Sequence, residues 1–103
     1  MASQIEKLWR KHCYARFPPR CRGREVNEID LVLLDADTAG CICTVLECDG
    51  HLDSWRLAIL GLCYRDLAVV KAKIRGKGHE YFARLEQLAW LVLSAAAKRG
   101  ERT

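Results

Sequence analysis

Four stretches of the chain repeat apolar residues at helical spacing, with short breaks between them. In the first, Ile5, Leu8, Trp9 and His12 recur at intervals of three and four, behind Ser3-Gln4-Ile5-Glu6, which has the S-x-x-E form of a capping box. The pattern predicts a helix over about 4–16, ended by Phe17-Pro18-Pro19, because a residue before proline is pushed out of the helical region. A second helix is expected over about 25–47, up to the turn-forming Cys48-Asp49-Gly50-His51. The third covers about 53–74, with Asp53 or Ser54 as cap and Lys71, Lys73 and Arg75 near its negative C-terminal end. Gly76-Lys77-Gly78 then breaks the chain, and a fourth helix follows over about 79–98, stopped by Gly100. The last two connections are short, which favours antiparallel neighbours. The expected fold is therefore one all-α domain spanning 1–103, a small four-helix antiparallel bundle-like arrangement with an acidic second helix at its centre.

The faces of these helices differ in kind. On helix 4, Tyr81, Phe82, Leu85, Leu88, Ala89, Val92, Leu93 and Ala96 share one side, while Glu80, Arg84, Gln87 and Lys98 share the other. Trp90 and Leu91 fall outside that stripe and are candidate interface residues. Helix 3 is apolar over a wider arc that takes in Trp55, Ile59, Leu62, Cys63, Leu67 and Val70, with Asp66 projecting among them. A carboxylate there needs a cation or a donor, and an Arg or Lys of the N-terminal segment is expected to supply it. Helix 2 has two apolar faces: Ile29, Val32, Leu33, Ala36, Ala39, Gly40 and Cys43 on one, Leu31, Leu34, Thr38, Cys41, Ile42 and Val45 on the other. Its acids form two seams, Glu28 with Asp35 and Asp30 with Asp37, as expected of a helix sandwiched between neighbours.

Within that helix, Leu31-Val32-Leu33-Leu34-Asp35-Ala36-Asp37-Thr38 resembles the opening motif of the haloacid-dehalogenase-type phosphotransferases. The resemblance implies a buried strand delivering Asp35 as nucleophile and Asp37 as acid/base to a magnesium site. Asp49-Gly50-His51-Leu52-Asp53 is similar to the family's later D-x-x-x-D motif. The chain lacks room for the fold this implies. A parallel crossover takes a dozen or more residues, and only Ala39 and Gly40 separate Thr38 from the apolar run that starts at Cys41. The family's Ser/Thr motif and Lys are missing, and everything after Asp53 reads as helix. The helical reading is retained.

Composition agrees with it. Two adjacent prolines and seven glycines in 103 residues punctuate the chain too rarely for an all-β domain. The N-terminal residues contain no apolar signal core, and the apolar run Leu88–Ala97 is too short to span a bilayer, so a cytoplasmic, non-membrane protein is expected. In that compartment most of the six cysteines should be reduced. No CxxC is present, and Cys41 and Cys43 would point about 200° apart on a helix. His12, Cys13 and Cys21 form the one local cluster with ligand chemistry, at a spacing that fits no common zinc pattern, so no metal or other cofactor is assigned.

Charge is segregated beneath a net +4: residues 1–24 hold seven Lys/Arg and one Glu, residues 25–53 eight acids and no Lys or Arg, and residues 54–103 ten bases and four acids. Three functional readings follow. The first is a non-catalytic interaction module, a homodimer or a binder of another protein, because apolar arcs this wide on four helices leave surface to cover. The second is nucleic-acid binding through 7–24, where Arg20, Arg22 and Arg24 would contact phosphates and Trp9, Tyr14 and Phe17 would stack. The third is a carboxylate- or metal-dependent hydrolase of phosphate or nucleotide substrates built on Asp35, Asp37 and Asp66. The hydrolase reading lacks the paired E-x-x-D/E and Glu-x-x-His arrays of such bundles, so no residue is assigned as catalytic. Asp30, Asp35, Asp37 and Asp66 stand as candidate binding residues. The bland alternative pairs these acids with the arginines of the N-terminal arm.

Overall fold

The computed structural model describes residues 4–100, which leaves Ser3 of the expected capping box outside the described residues. The chain forms α1 (Gln4–Cys13), a 3-10 turn at Pro19–Cys21, β1 (Glu25–Val26), β2 (Ile29–Asp30), α2 (Leu31–Glu47), α3 (Ser54–Lys73) and α4 (Gly76–Lys98). It is an all-α bundle with one very small two-stranded sheet.

The largest departure from the expected boundaries is at the start of the second helix, which begins at Leu31 rather than near Glu25. In between lies an antiparallel hairpin that pairs Glu25 with Asp30 and Val26 with Ile29. Asn27 and Glu28 turn it with φ of 50° and 66°, the left-handed pair that a two-residue hairpin turn demands. Asn tolerates that region, whereas Glu is strained in it. Asp30 then caps α2: its Oδ1 accepts from the N–H groups of Val32 at 2.9 Å and Leu33 at 3.1 Å. The apolar letters Ile29, Val32 and Leu33 keep helical spacing across this boundary, and so concealed it.

Elsewhere the shifts are smaller. The first helix stops at Cys13 instead of about residue 16, where the Ala15 N–H turns back to the His12 carbonyl at 3.0 Å. That turn lets Phe17 pack edge-on against Tyr81 and Phe82, with ring centroids 5.4 and 6.1 Å apart. The fourth helix starts at Gly76, three residues early, so the glycine pair expected as a break is its first turn. Gly78 packs closely there: a Cβ would sit 3.3 Å from both Cys21 Sγ and Ile74 Cδ1, and those side chains would have to give by a few tenths of an ångström. Close approach, not flexibility, explains that glycine.

The helix that packs against all the others is α4, not α2. Phe82, Leu85 and Leu88 of α4 are completely buried against Leu60, Leu67 and Val70 of α3 and Leu31 and Ile42 of α2. The sandwich expected for the second helix is therefore corrected to one buried face, Leu31, Leu34, Thr38, Cys41, Ile42 and Val45. The buried hydroxyl of Thr38 is satisfied by donating to the Leu34 carbonyl at 2.8 Å. Its small-residue face, with Val32, Leu33, Ala36 and Gly40, is open to solvent. On α3 the arc is narrower than expected as well: Trp55 and Leu62 face outward, and Leu57 takes an inward place. A radius of gyration of 13.1 Å is that of a folded chain of about 100 residues, so no helix stands away from the core.

Candidate binding grooves

The exposed faces of α2 and α3 meet in a groove of about 520 Å³. Leu33, which is 59% exposed, and Leu62, 53% exposed, stand in it beside Ile59. Glu28 from the hairpin turn, Asp30, Asp37 and Asp66 line the same groove, with no Lys or Arg among its lining residues. Asp30 is engaged in capping, but Glu28, Asp37 and Asp66 have no ion-pair partner among the described residues. The arm arginines expected to pair with them do not. A shallower depression continues the surface through the shared Asp37 and Ile59 to Ala36, Gly40 and Trp55, the last 73% exposed. Its one cation, Arg56, is held by Asp53 at 2.7 Å.

A second groove, of about 650 Å³, has the opposite character. Arg20 and Arg24 of the arm line it together with Lys73, Arg75 and Lys77, brought from the α3–α4 corner. Its floor is apolar, with Pro18, Cys21 and Ile74 buried and Gly78 completing it. Arg22 is not part of it: its guanidinium lies 5.7 Å from the centroid of the Phe17 ring.

Asp35 goes to neither groove. It accepts a hydrogen bond from Tyr81 Oη at 2.9 Å, and burial pushes its carboxyl pKa up, partly offset by that bond. Burial, then the charge and hydrogen bond of Asp35, pushes the Tyr81 phenol up. His12, on the apolar stripe of the first helix, is buried beside Tyr81, with ring centroids 4.5 Å apart. Arg84 Nε donates to its Nδ1 at 3.2 Å, so the neutral ring carries its proton on Nε2, which is buried without a partner. Burial, aided by the Arg84 charge, pushes the His12 pKa down to about 4. A neutral histidine and a firmly protonated tyrosine are poor bases at neutral pH. Their evident work is to tie α1 and α2 to α4. The sequence put Tyr81 and Arg84 on opposite sides of the fourth helix, and nothing there placed His12 against both.

The structure thus brings Asp30, Asp37 and Asp66 together and sends Asp35 elsewhere, which separates the trio of Asp35, Asp37 and Asp66 named for hydrolysis. Among the described residues no three His, Cys, Asp or Glu side chains are placed to share a metal ion. All six cysteines are free thiols; burial pushes Cys41 up to about 11 and raises Cys21 and Cys63, so these three are protonated and unreactive at neutral pH. Of the aromatics expected to stack on bases, Trp9 and Phe17 pack against the core and Tyr14 is exposed. Trp90, 52% exposed, and the half-buried Leu91 lie on the outer side of α4. No helix among the described residues is long and apolar enough to cross a membrane.

No family model, curated protein or solved structure matches this chain. Function must therefore be read from the two grooves.

Proposed function

We propose that the protein is a non-catalytic interaction module, and that its α2–α3 groove docks a basic, amphipathic segment of another protein. The observation that carries this reading is the exposure of Leu33 and Leu62 in a groove whose four carboxylates face no lining cation. Exposed apolar side chains inside a charged rim are the usual anatomy of a partner surface. Ala36 and Gly40 add a stretch without bulk, beside which a partner helix fits closely. The same carboxylates argue against a symmetric dimer through this face, since a second copy would set acid against acid. Self-association, also expected from the sequence, is left to Trp90 and Leu91 on the far side of α4, and light scattering at low concentration tests it: a mass of 11.7 kDa removes the dimer. Free thiols fit a reducing compartment, and we place the interaction in the cytoplasm on that basis.

Trp55 reports on the docking surface directly. A synthetic Leu/Lys amphipathic helix should change its fluorescence saturably at low salt, and a Leu/Glu helix of the same pattern should not. Replacing Leu33 and Leu62 with Ser keeps every charge and should weaken the Leu/Lys peptide by about tenfold or more, given the apolar area lost. Equal binding of both peptides, or binding indifferent to the double substitution, defeats the proposal.

A further inference from the structure

The basic groove points to a second site, independent of the docking surface. Arg20, Arg24, Lys73, Arg75 and Lys77 come from two stretches of chain some fifty residues apart and line one concavity, and no Asp or Glu lines it with them. None of the five has an ion-pair partner among the described residues. Five like charges gathered in this way repel one another, and a multiply charged anion relieves that repulsion. Their setting adds to this. The 23-residue α4 opens on the same groove, its N-cap is Arg75, and no side chain caps the N–H groups of its first turn. Gly76 and Gly78 carry no side chain over those amides, and Gly78 packs closely on Cys21 and Ile74. Convergent cations, a helix start without a cap and an apolar floor of Pro18 and Ile74 occur together here.

We infer that this groove binds a phosphate group of a nucleotide, either free or within a nucleic-acid strand, seated at the start of α4 among Arg24, Arg75 and Lys77. Arginine and lysine neutralise the oxygens, and uncapped amides at a helix N-terminus add donors. The apolar floor gives a base or sugar something to cover. Arg22, turned onto Phe17, takes no part.

The test follows the amide resonances of Gly76 and Gly78 during titration with pyrophosphate, with AMP and with a short oligothymidine, at constant ionic strength. Saturable shifts of these two amides are expected with AMP or with oligothymidine, and saturation by pyrophosphate alone overturns the nucleotide assignment. The double variant Arg24→Gln/Lys77→Gln should weaken that binding by about tenfold or more, as expected for lost charge-assisted bonds, while Arg22→Gln leaves it unchanged. All three side chains are exposed, so the variants should fold; circular dichroism checks this, and Arg20→Gln/Lys73→Gln is the second pair. Tighter binding of oligothymidine than of AMP assigns the phosphate to a strand, and the reverse assigns it to a free nucleotide. Either result sustains the site. Unsaturable shifts with every probe, or equal weakening by Arg22→Gln and the double variant, overturns it.

Discussion

The acidic groove and the basic groove are separated by a few residues of one hairpin: Arg24 enters the second and Glu28 the first. They solve opposite problems. In the acidic groove the apolar side chains stand exposed and the charges form a rim, so a ligand must bring its own apolar surface as well as cations. In the basic groove the apolar residues are a buried floor and the charges converge at a helix start, so charge leads and the floor only adds contact. The first arrangement suits a folded or helical protein segment, the second a phosphate group. The contrast also explains why charge is segregated along the sequence. The expectation that the basic arm would neutralise the acidic helix treats the segregation as a purely internal matter. Instead Arg20 and Arg24 join Lys73, Arg75 and Lys77, and among the described residues the ion pairs Arg56 with Asp53 and Lys71 with Glu86 stand outside both clusters of unpaired charge.

The most damaging way to break the comparison is to remove what both grooves share. Phe82 is completely buried where α4 meets the other helices, against Phe17 and Tyr81. Phe82→Ala should cost about 3–5 kcal/mol in chemical denaturation, a large part of a small domain's stability. Both binding activities should then fade together at the same denaturant concentration. If one survives the loss of the other, the grooves do not belong to one cooperative unit.

Acid is the next lever, because it discharges carboxylates while arginine and lysine stay charged. His12 limits how far it can be pulled. Its folded pKa of about 4 lies below the ordinary value of 6.5, so the unfolded chain takes up a proton that the folded chain refuses. Above about pH 6.5 the difference vanishes. As pH falls from there towards 4 the native state loses stability, by up to roughly 3 kcal/mol, and the loss levels off below that. Asp35, with its raised pKa, acts in the opposite sense because the folded state holds its proton more readily. His12→Gln keeps an acceptor for Arg84 and removes the titration. Thermal unfolding of the variant between pH 7 and 4 should show a clearly shallower decline than the parent; parallel curves would mean His12 is not the group responsible.

Much of the fold could be read from apolar spacing, because α4 is strongly one-sided and its predicted stripe from Tyr81 to Ala96 is the buried one, apart from the half-buried Leu93. Periodicity failed where apolar residues serve the surface. Val32 and Leu33 looked like a second inner face of α2 and are exposed, and Leu62 looked like core on α3. Spacing records that a residue is apolar, not whether a neighbour covers it. The hairpin was missed because Ile29 continues the helical rhythm, although Asn27 as turn former and Asp30 as cap were legible signals. Three of the four carboxylates named as binding residues do converge, since they sit on one side of α2 and on the facing side of α3. The basic groove could not be read locally: Lys73, Arg75 and Lys77 are some fifty residues from Arg20 and Arg24, and only the α3–α4 turn brings them together.

The smallest expected effect is the most discriminating. Glu28 holds φ at 66° in the hairpin turn, a conformation that costs a non-glycine residue about 1–2 kcal/mol. It also supplies one of the carboxylates of the acidic groove. Glu28→Gly would set a glycine directly after Asn27, the Asn-Gly order this turn type prefers, and relieve the strain at the cost of some entropy in the unfolded chain. The variant should therefore be more stable by up to about 1 kcal/mol, read as a higher denaturation midpoint with unchanged slope. If Glu28 is retained in a strained position because of its charge, the same variant should bind the Leu/Lys helix several-fold more weakly and more nearly independently of salt, while the Gly76 and Gly78 amides respond to phosphate as before. Stability rising as one affinity falls and the other holds would separate the two grooves within a single substitution. Undiminished binding of the peptide would leave Glu28 a turn residue only, and the acidic rim would lose one of its four members.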